Sequence, residues 1–210
     1  MSKTYPLAVS SWGEEEIAAL HEVINSDRYT MGPKVFKFEQ EFAEYFGAED
    51  AVMVNSGSTA NLMMLSLLRW KYHLDQNERA NIIVPCVGWS TTFFPVSQNN
   101  FWLNFVDVDP ETFNIDVKKI EDAIDGNTVA IMPVNLCGNP CDFTALNAIC
   151  TKHDLILIED NCESMGAKYG DKHTGTIGYM GSHSFFFSHH IQTMEGGMVC
   201  TDNRELYDIL

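Results

Sequence analysis

Short runs of β-prone residues alternate with helix-forming patterns along most of the chain, and no other feature constrains the fold as strongly. The β-prone runs cover residues 51–54, 81–85, 104–108, 129–134 and 155–160, an aromatic run that begins at 182, and residues 198–201. Helical spacing of apolar residues predicts helices over 14–24, 35–46, 60–70, 117–124 and 143–152, and a last helix from residue 203. This alternation predicts an α/β fold in which helices cover both faces of a seven-stranded, mostly parallel sheet.

Residues that commonly cap helices stand at several of the predicted helix ends. Asp116 and Asp142 each precede a helix and are predicted N-caps, and Gly47 is a predicted C-terminal cap. Asp202 and Glu205 have the spacing of a capping box for the last helix. The chain stops inside that helix, which predicts a domain truncated within a helix.

Charge and cysteine content limit the partners and the compartment. A formal net charge of -16 argues against nucleic acid or an anionic membrane surface as a partner. The six cysteines are scattered without a C-x-x-C pair, which favours reduced thiols in the cytoplasm over a disulfide scaffold or a zinc site. We expect a cytoplasmic protein, because no leader follows Met1 and no segment is long and apolar enough to span a bilayer.

Polar residues follow four of the predicted strands, at the edge of a parallel sheet where ligands bind. In the stretch 55–59, Gly57 allows close backbone approach and the first amides of the next helix favour an anion. A helix capped after a tight turn explains the same residues. Trp89 follows the second strand and is suited to stack on a flat ring, although core packing is the alternative.

Asp160 ends an apolar strand, so its carboxyl must point out of the end of the sheet or be paired. At this position a carboxylate can hold a protonated pyridine nitrogen, which makes the ring an electron sink. The alternative is an N-cap for a helix that follows. Glu163 lies three residues further on and can reach the same ligand.

The stretch 182–197 carries two adjacent histidines after an aromatic run. A histidine can give and take protons near neutral pH, while a metal ligand or a structural histidine is the alternative. On an extended chain His189 and His190 would point to opposite sides, so at most one of them would face a given site. Ser184 precedes His189 by five residues and can donate to a phosphate. The four features together describe a pyridoxal phosphate pocket.

In these motifs the sequence resembles the sugar aminotransferase and dehydratase family (DegT/DnrJ/EryC1/StrS) of pyridoxal phosphate enzymes. The resemblance runs from Tyr5 to the last helix and is carried by the stretches 30–33, 55–62, 135–140, 159–167 and 184–197. It implies the aspartate aminotransferase (type I) fold, with a cofactor-binding large domain at 34–210. It also implies an N-terminal helix and a substrate- and dimer-contacting loop at 1–33, and a small C-terminal domain that is missing from the chain.

His189 stands where ordinary members of this family carry the lysine that forms a Schiff base with the cofactor, six residues before Glu195. No lysine occurs after Lys172, and an imidazole cannot form a Schiff base, so an aminotransferase cycle is not expected. The segment 188–195 is similar to the 3-dehydratase branch, and within it to enzymes of GDP-linked 4-keto-6-deoxy sugars more than to those of CDP-linked sugars.

The resemblance implies a pyridoxamine-phosphate-dependent C3 deoxygenation of a nucleotide-diphosphate sugar by a homodimer, with L-glutamate regenerating the cofactor. It implies a dideoxy sugar of the colitose type for lipopolysaccharide O-antigen. His189 would be the catalytic acid and base. The implied cofactor contacts are the backbone of Gly57 and Ser58 and the hydroxyl of Ser184 at the phosphate, Trp89 on the ring, Asp160 at the ring nitrogen, and Glu163. The implied substrate contacts, in the neighbouring subunit's site, are Ser26, Asp27, Arg28 and Tyr29.

Three other hypotheses fit the same residues. A lysine-less relative could bind a nucleotide sugar as a regulator, without turnover. A metal-binding protein could use His183, His189 and His190, although their spacing is unlike that of common metal motifs. The chain could also be an inactive fragment, since members of the family are considerably longer.

Overall fold

The computed structural model of the chain describes residues 5–6, 9–74 and 79–210. Residues 1–4 and 7–8 of the predicted N-terminal segment lie outside these ranges. The α-helices are α1 (Glu14–Asn25), α2 (Pro33–Phe46), α3 (Gly57–Lys71), α4 (Ser90–Gln98), α5 (Val117–Ala123), α6 (Phe143–His153) and α7 (Arg204–Ile209). The β-strands are β1 (Asp50–Val54), β2 (Asn81–Pro85), β3 (Trp102–Val106), β4 (Thr128–Ile131), β5 (Ile156–Asp160), β6 (Lys168–Tyr169), β7 (Lys172–His173), β8 (Met180–Ser184) and β9 (Gly197–Thr201).

Seven of the strands form one sheet in the order β1-β9-β8-β5-β4-β2-β3. Every pair from β8 to β3 is parallel, whereas β9 runs antiparallel to both of its neighbours, β8 and β1. The parallel pairs need long crossovers, which the intervening helices supply. The predicted fold class, a seven-stranded and mostly parallel sheet with helices on both faces, is therefore confirmed.

The side chains of each strand alternate between two packed layers. In β2, Ile82 packs into a cluster with α3 and α4, and Ile83 packs into a cluster with α5 and α6 on the opposite face. A third cluster joins α2 to β1 and β9. Since both faces are covered, β1, β2 and β4 read as mainly apolar runs in the sequence.

Six of the seven strands of the sheet differ from their predicted ranges, and β3, β4 and β8 differ by two residues or more. β3 begins at Trp102, two residues earlier than predicted, because Trp102 pairs with Asn81 at the start of β2. β4 ends at Ile131, three residues earlier than predicted. Pro133 lies in the segment that was expected to continue β4, and proline has no N–H to donate to a regular ladder.

Helix α4 and the β6–β7 hairpin have no counterpart in the sequence prediction. α4 contains Pro95 and begins with Ser90 and two threonines, which resemble a loop. The two hairpin strands have two residues each, which is too short to produce a periodic signal.

Three of the predicted helix caps are confirmed and one is wrong. Asp116 and Asp142 accept hydrogen bonds from amides in the first turns of α5 and α6, and Gly47 ends α2 in the left-handed region at φ 76°. In α7 the cap is Asn203, whose side chain accepts the Leu206 amide. The predicted capping box on Asp202 does not form, because that carboxylate accepts the amide of Glu49 beside β1.

Helix α1 forms where the sequence predicts it but buries none of its residues in this chain. Its apolar positions Ile17, Leu20 and Ile24 are all exposed. None of the helices within the described ranges is long and apolar enough to cross a membrane.

Glu159 is a fully buried carboxylate that ties the segment before β8 to β5. Its two oxygens accept the amides of Gly175, Ile177 and Gly178 at 2.6–2.7 Å. Burial raises the pKa of Glu159, and these amide donors act against that shift. Alternation along β5 sends Glu159 and the next residue, Asp160, to opposite faces of the sheet.

His183 occupies the middle of β8 as a buried imidazole. Its ring packs against Phe42 and Phe46, with centroids 5.0 and 5.5 Å away. Its Nδ1 lies 3.4 Å from the Asn161 amide nitrogen, and its Nε2 has no partner among the described residues. Burial, with a smaller contribution from His173, lowers the pKa of His183 to about 3.

His183 should therefore make the fold sensitive to acid. An unfolded histidine takes up a proton below about pH 6.5, whereas folded His183 stays neutral down to about 3. Protonation in this window favours the unfolded state, so the free energy of unfolding should fall by up to about 1.4 kcal/mol per pH unit.

Urea unfolding between about pH 6.5 and about pH 4.5 measures this slope. His183→Leu should show a shallower fall in stability than the unsubstituted chain. His21→Leu, which removes an exposed histidine of α1, should keep the full slope. Equal slopes in all three proteins would contradict the assignment.

Candidate active site

A cavity of about 870 Å³ opens where the carboxyl ends of the parallel strands meet. It is lined by all seven residues that were predicted for catalysis or cofactor binding: Gly57, Ser58, Trp89, Asp160, Glu163, Ser184 and His189. The sheet thus assembles residues that are widely separated in the sequence. Their individual roles remain predictions.

The four predicted substrate residues lie elsewhere. Ser26–Tyr29 form an exposed turn between α1 and α2 and are not part of the cavity wall. The Tyr29 hydroxyl donates to Asp27 at 2.8 Å, and Arg28 donates to the carbonyl of Met31 at 3.3 Å. Their predicted contact with a nucleotide sugar in a neighbouring subunit stays a prediction.

The start of α3 is pressed against the end of β8. Ser56 caps the helix by accepting the amide of Thr59 at 3.1 Å, so the amides of Gly57 and Ser58 lie in the first turn. Amides in this turn have no acceptor within their own helix and carry the positive end of its dipole. A Cβ on Gly57 would lie 2.6 Å from the Ser184 Cβ and 2.7 Å from the Cys162 sulfur. Only glycine permits this approach, which places the helix amides and the Ser184 hydroxyl in one corner.

The substitution Gly57→Ala should move the first amides of α3 away from the Ser184 hydroxyl. The added methyl must displace both Ser184 and Cys162, which should cost about 1–3 kcal/mol of stability, as overpacking does elsewhere. It should also weaken the binding of inorganic phosphate or a phosphorylated ligand. Gly126→Ala is the matched control, since a Cβ there meets nothing within 4 Å. Urea unfolding and isothermal titration would measure both effects, and equal stability of the two variants would contradict the packing argument.

Asp160 is 4% exposed and lies at the end of β5. Its Oδ2 accepts the Thr92 hydroxyl at 2.7 Å and the Asn61 amide at 2.9 Å. Its Oδ1 accepts the backbone amide of Cys162 at 3.2 Å. The chain after Asp160 forms turns rather than an α-helix, so the alternative of a helix N-cap is wrong.

Trp89 stands at the mouth of the cavity with 69% of its surface exposed. The alternative of core packing is therefore wrong for this residue. Its backbone caps α4, where the amide of Thr92 donates to the Trp89 carbonyl at 2.9 Å. An exposed indole at a cavity mouth is available to a flat ligand.

The histidine segment is not extended. β8 ends at Ser184, and the His189 amide donates to the Phe186 carbonyl at 2.9 Å, which closes a turn. Both His189 and His190 consequently line the cavity, and the prediction that at most one of them would face the site is wrong. The alternation of side chains applies only where the backbone is extended.

Burial lowers the pKa of His189, and His190 lowers it further, while the carboxylates of Glu163 and Asp160 raise it. The imidazole is thus held neutral at neutral pH, ready to accept a proton, with two carboxylates near enough to stabilise its charged form. A histidine whose pKa is shifted by burial and by neighbouring charges is typical of a general acid and base.

Replacing Glu163 by glutamine should lower the pKa of His189 further, because it removes a negative charge that favours the imidazolium. An NMR titration of the His189 ring protons would measure the shift. Glu44→Gln makes the same charge change on the exposed surface of α2 and should leave the midpoint in place. A midpoint that stays the same or rises in Glu163→Gln would refute the coupling.

The sequence prediction missed Cys137, Asn61 and Thr92, which donate hydrogen bonds to the two predicted carboxylates of the site. The Cys137 amide donates to the Glu163 carboxylate at 3.2 Å, from a residue in the left-handed region at φ 52°. Asn61 and Thr92 hold Asp160. A signal existed for Asn61, a polar residue within the apolar pattern of α3, whereas Thr92 was hidden in a helix that the sequence did not reveal.

The metal hypothesis is not supported by this arrangement. His183 is buried beside Phe42, and it is not part of the wall that His189 and His190 share. Within residues 9–74 and 79–210, no group of three or more histidine, cysteine, aspartate or glutamate side chains could hold a metal ion.

Residues 10–210 match the model of the DegT/DnrJ/EryC1/StrS aminotransferase family, and the chain belongs to that family. The family resemblance that the motifs carry is therefore confirmed.

Within the family, the chain is 50% identical to GDP-4-keto-6-deoxy-D-mannose 3-dehydratase from Yersinia pseudotuberculosis, over 98% of this chain and 52% of the relative. It is 48% identical to the protein of the same name from Escherichia coli O55:H7, over 98% of this chain and 53% of the relative. The chain spans about half the length of the curated relatives it matches.

The chain is also similar to solved structures of a dehydratase with this substrate in its name. A GDP-4-keto-6-deoxymannose-3-dehydratase with a trapped PLP-glutamate geminal diamine superposes with a TM-score of 0.93 and 47% identity, covering 98% of this chain and 53% of that one. A histidine-to-asparagine variant of that enzyme with bound GDP-perosamine gives a TM-score of 0.90 and 47% identity, covering 99% of this chain and 54% of that one.

Proposed function

We propose that the protein to which this chain belongs is a pyridoxamine-phosphate-dependent lyase that removes the C3 hydroxyl of GDP-4-keto-6-deoxy-D-mannose. The observation that carries the proposal is the cavity wall itself. Among the residues that the structure describes, the wall contains His189 and no lysine, together with the acceptor Asp160 and the helix start at Gly57. A site without a primary amine favours deoxygenation over nitrogen transfer.

The residues of the cavity fit a phosphorylated pyridine ring. The first amides of α3 and the Ser184 hydroxyl supply donors for the phosphate in one corner. Asp160 supplies a carboxylate for the ring nitrogen, and Trp89 supplies a ring face at the mouth. The volume of about 870 Å³ lies within the usual range for ligand sites.

When bound, pyridoxamine phosphate supplies an amine that can condense with a ketone and a protonated ring that can take up electron density. The chain's own groups bind and orient. Gly57, Ser58 and Ser184 would hold the phosphate, Trp89 would cover the ring and exclude water, and Asp160 would accept the ring N–H. Glu163 would contact the cofactor beside Asp160.

His189 would move the protons. Its neutral imidazole would take one from the cofactor's amine-bearing carbon, C4′, and the resulting imidazolium would donate one to the departing C3 hydroxyl, which leaves as water. One imidazole can serve as base and then as acid, because it accepts a proton when neutral and donates one when charged. The Glu163 carboxylate favours the imidazolium form of His189, which would exist between the two proton transfers.

The proposed substrate follows the relatives named above, whose names specify a GDP-linked 4-keto-6-deoxy sugar. A CDP-linked sugar is the alternative, and a nucleotide-sugar-binding fragment without activity is another. L-Glutamate would regenerate the amine form. Residues 34–210 would form the cofactor domain of a homodimer, and residues 1–33, through Ser26–Tyr29, would reach the partner's substrate. We place the product in colitose-type O-antigen synthesis in the cytoplasm, a compartment that the six free cysteines support.

His189→Asn tests the catalytic role. Dehydration should fall by about 10²–10⁴-fold, the usual contribution of a general acid and base, while the cofactor stays bound. Release of water from the nucleotide sugar, followed by mass spectrometry, measures the reaction, and cofactor absorbance measures binding. His153→Asn, on the outer surface of α6, is the control and should retain activity. Full activity in His189→Asn would overturn the assignment.

A panel of nucleotide sugars tests the substrate. The GDP-linked 4-keto-6-deoxymannose should lose one water, and the CDP-linked analogue should react more slowly. Preference for the CDP sugar would move the assignment to the other branch, and binding of either sugar without loss of water would favour a regulator or an inactive fragment.

A further inference from the structure

Two buried donors converge on one oxygen of Asp160 from two different helices. The Thr92 hydroxyl of α4 donates to Oδ2 at 2.7 Å, and the Asn61 amide of α3 donates to the same atom at 2.9 Å. Both side chains are 1% exposed. Two donors occupy the acceptor capacity of Oδ2.

We propose that Thr92 and Asn61 are positioning residues of the active site, which hold the Asp160 carboxylate in the orientation that accepts the N–H of a pyridinium ring. This inference rests on the proposed function, because it assigns Asp160 to the ring nitrogen. Neither residue is part of that proposal, and each acts only through Asp160.

The orientation of the Asn61 amide supports a role directed at Asp160. Its nitrogen donates to both Asp160 Oδ2 and the Thr91 carbonyl, while its oxygen is buried with no partner among the described residues. The opposite orientation would place that oxygen against the carboxylate. A buried unpaired carbonyl oxygen is costly, so the packing of α3 alone does not explain an asparagine at this position.

The other oxygen of Asp160 is bound less closely. Oδ1 accepts the Cys162 amide at 3.2 Å and lies 3.5 Å from the Ser182 hydroxyl, which also lies 3.4 Å from a backbone carbonyl. The short contacts thus fix the carboxylate through Oδ2 and leave acceptor capacity on Oδ1.

The same two donors connect Asp160 with the rest of the site. Asn61 lies four residues after Gly57, one turn along α3 from the phosphate corner. Thr92 lies three residues after Trp89, in the first turn of α4. Because one turn of a helix is rigid, the phosphate corner, the Trp89 indole and the Asp160 carboxylate are fixed relative to one another.

The test compares Thr92→Val, which keeps the shape and loses the hydroxyl, with Thr92→Ser, which keeps the hydroxyl. The purified protein is loaded with pyridoxal phosphate that carries ¹⁵N in its ring, and the ¹⁵N signal is followed against pH. A merely structural residue would not move this titration. Thr201→Val is the matched control, since Thr201 is a buried threonine on β9 whose hydroxyl donates to the Tyr179 carbonyl.

In the unsubstituted protein the ring nitrogen should be protonated at neutral pH. Thr92→Val should lower the midpoint of this titration by about one unit, because the carboxylate turns away and the ring N–H loses its hydrogen bond to a charged group. Thr92→Ser should restore the midpoint, and Asn61→Leu should lower it in the same direction. Thr201→Val should lower the melting temperature without moving the midpoint.

The outcomes separate this inference from the proposed function. If the unsubstituted protein binds the cofactor with a protonated ring and Thr92→Val has the same midpoint, the positioning role is overturned and the proposed function stands. If Thr201→Val moves the midpoint as much as Thr92→Val, general destabilisation explains the effect and the inference also fails. If the unsubstituted protein does not bind the cofactor, the proposed function fails and the inference fails with it.

Discussion

The placement of β5 between β4 and β8 is the constraint on which the rest of the structure depends. Parallel pairing on both sides buries the strand, and its last residues carry two adjacent carboxyl groups, Glu159 and Asp160. A buried carboxyl group must find donors, so each one organises the backbone around it. Glu159 binds the amides that lead into β8, and Asp160 binds the side chains of α3 and α4.

The site follows from these two sets of hydrogen bonds. Once β8 is fixed beside β5, its end delivers Ser184 to the first turn of α3, and the turn beyond it delivers His189 to the cavity. The burial of His189 and the nearby carboxylates shift its pKa in opposite directions, which suits an imidazole that must take up and release protons. Polar groups are thus concentrated at the carboxyl edge of the sheet, while the two apolar layers supply the packing.

Much of the fold could be predicted because its signal is local. The caps at Asp116, Asp142 and Gly47 and the strands of the sheet follow from residue type and spacing over a few positions. The failures also have local causes. Pro95 concealed α4, Pro133 ended β4 early, and the turn at Phe186 could not be distinguished from an extended aromatic run. The missed contact from Thr92 to Asp160 depends on α4, so one unrecognised helix concealed a partner of the predicted acidic residue.

The sequence by itself determined the class of fold and the chemical character of the site. The alternation of elements sets the sheet, and a histidine six residues before Glu195, with no lysine after Lys172, sets the functional groups that are available. Only the tertiary structure decided how those groups are oriented and charged. Hydrogen bonds such as that from Thr92 to Asp160 join residues 68 positions apart. The pKa of His189 depends on burial and on charged side chains from other segments of the chain. Neither quantity is encoded in the spacing of neighbouring residues, because both depend on which distant segments the sheet brings together.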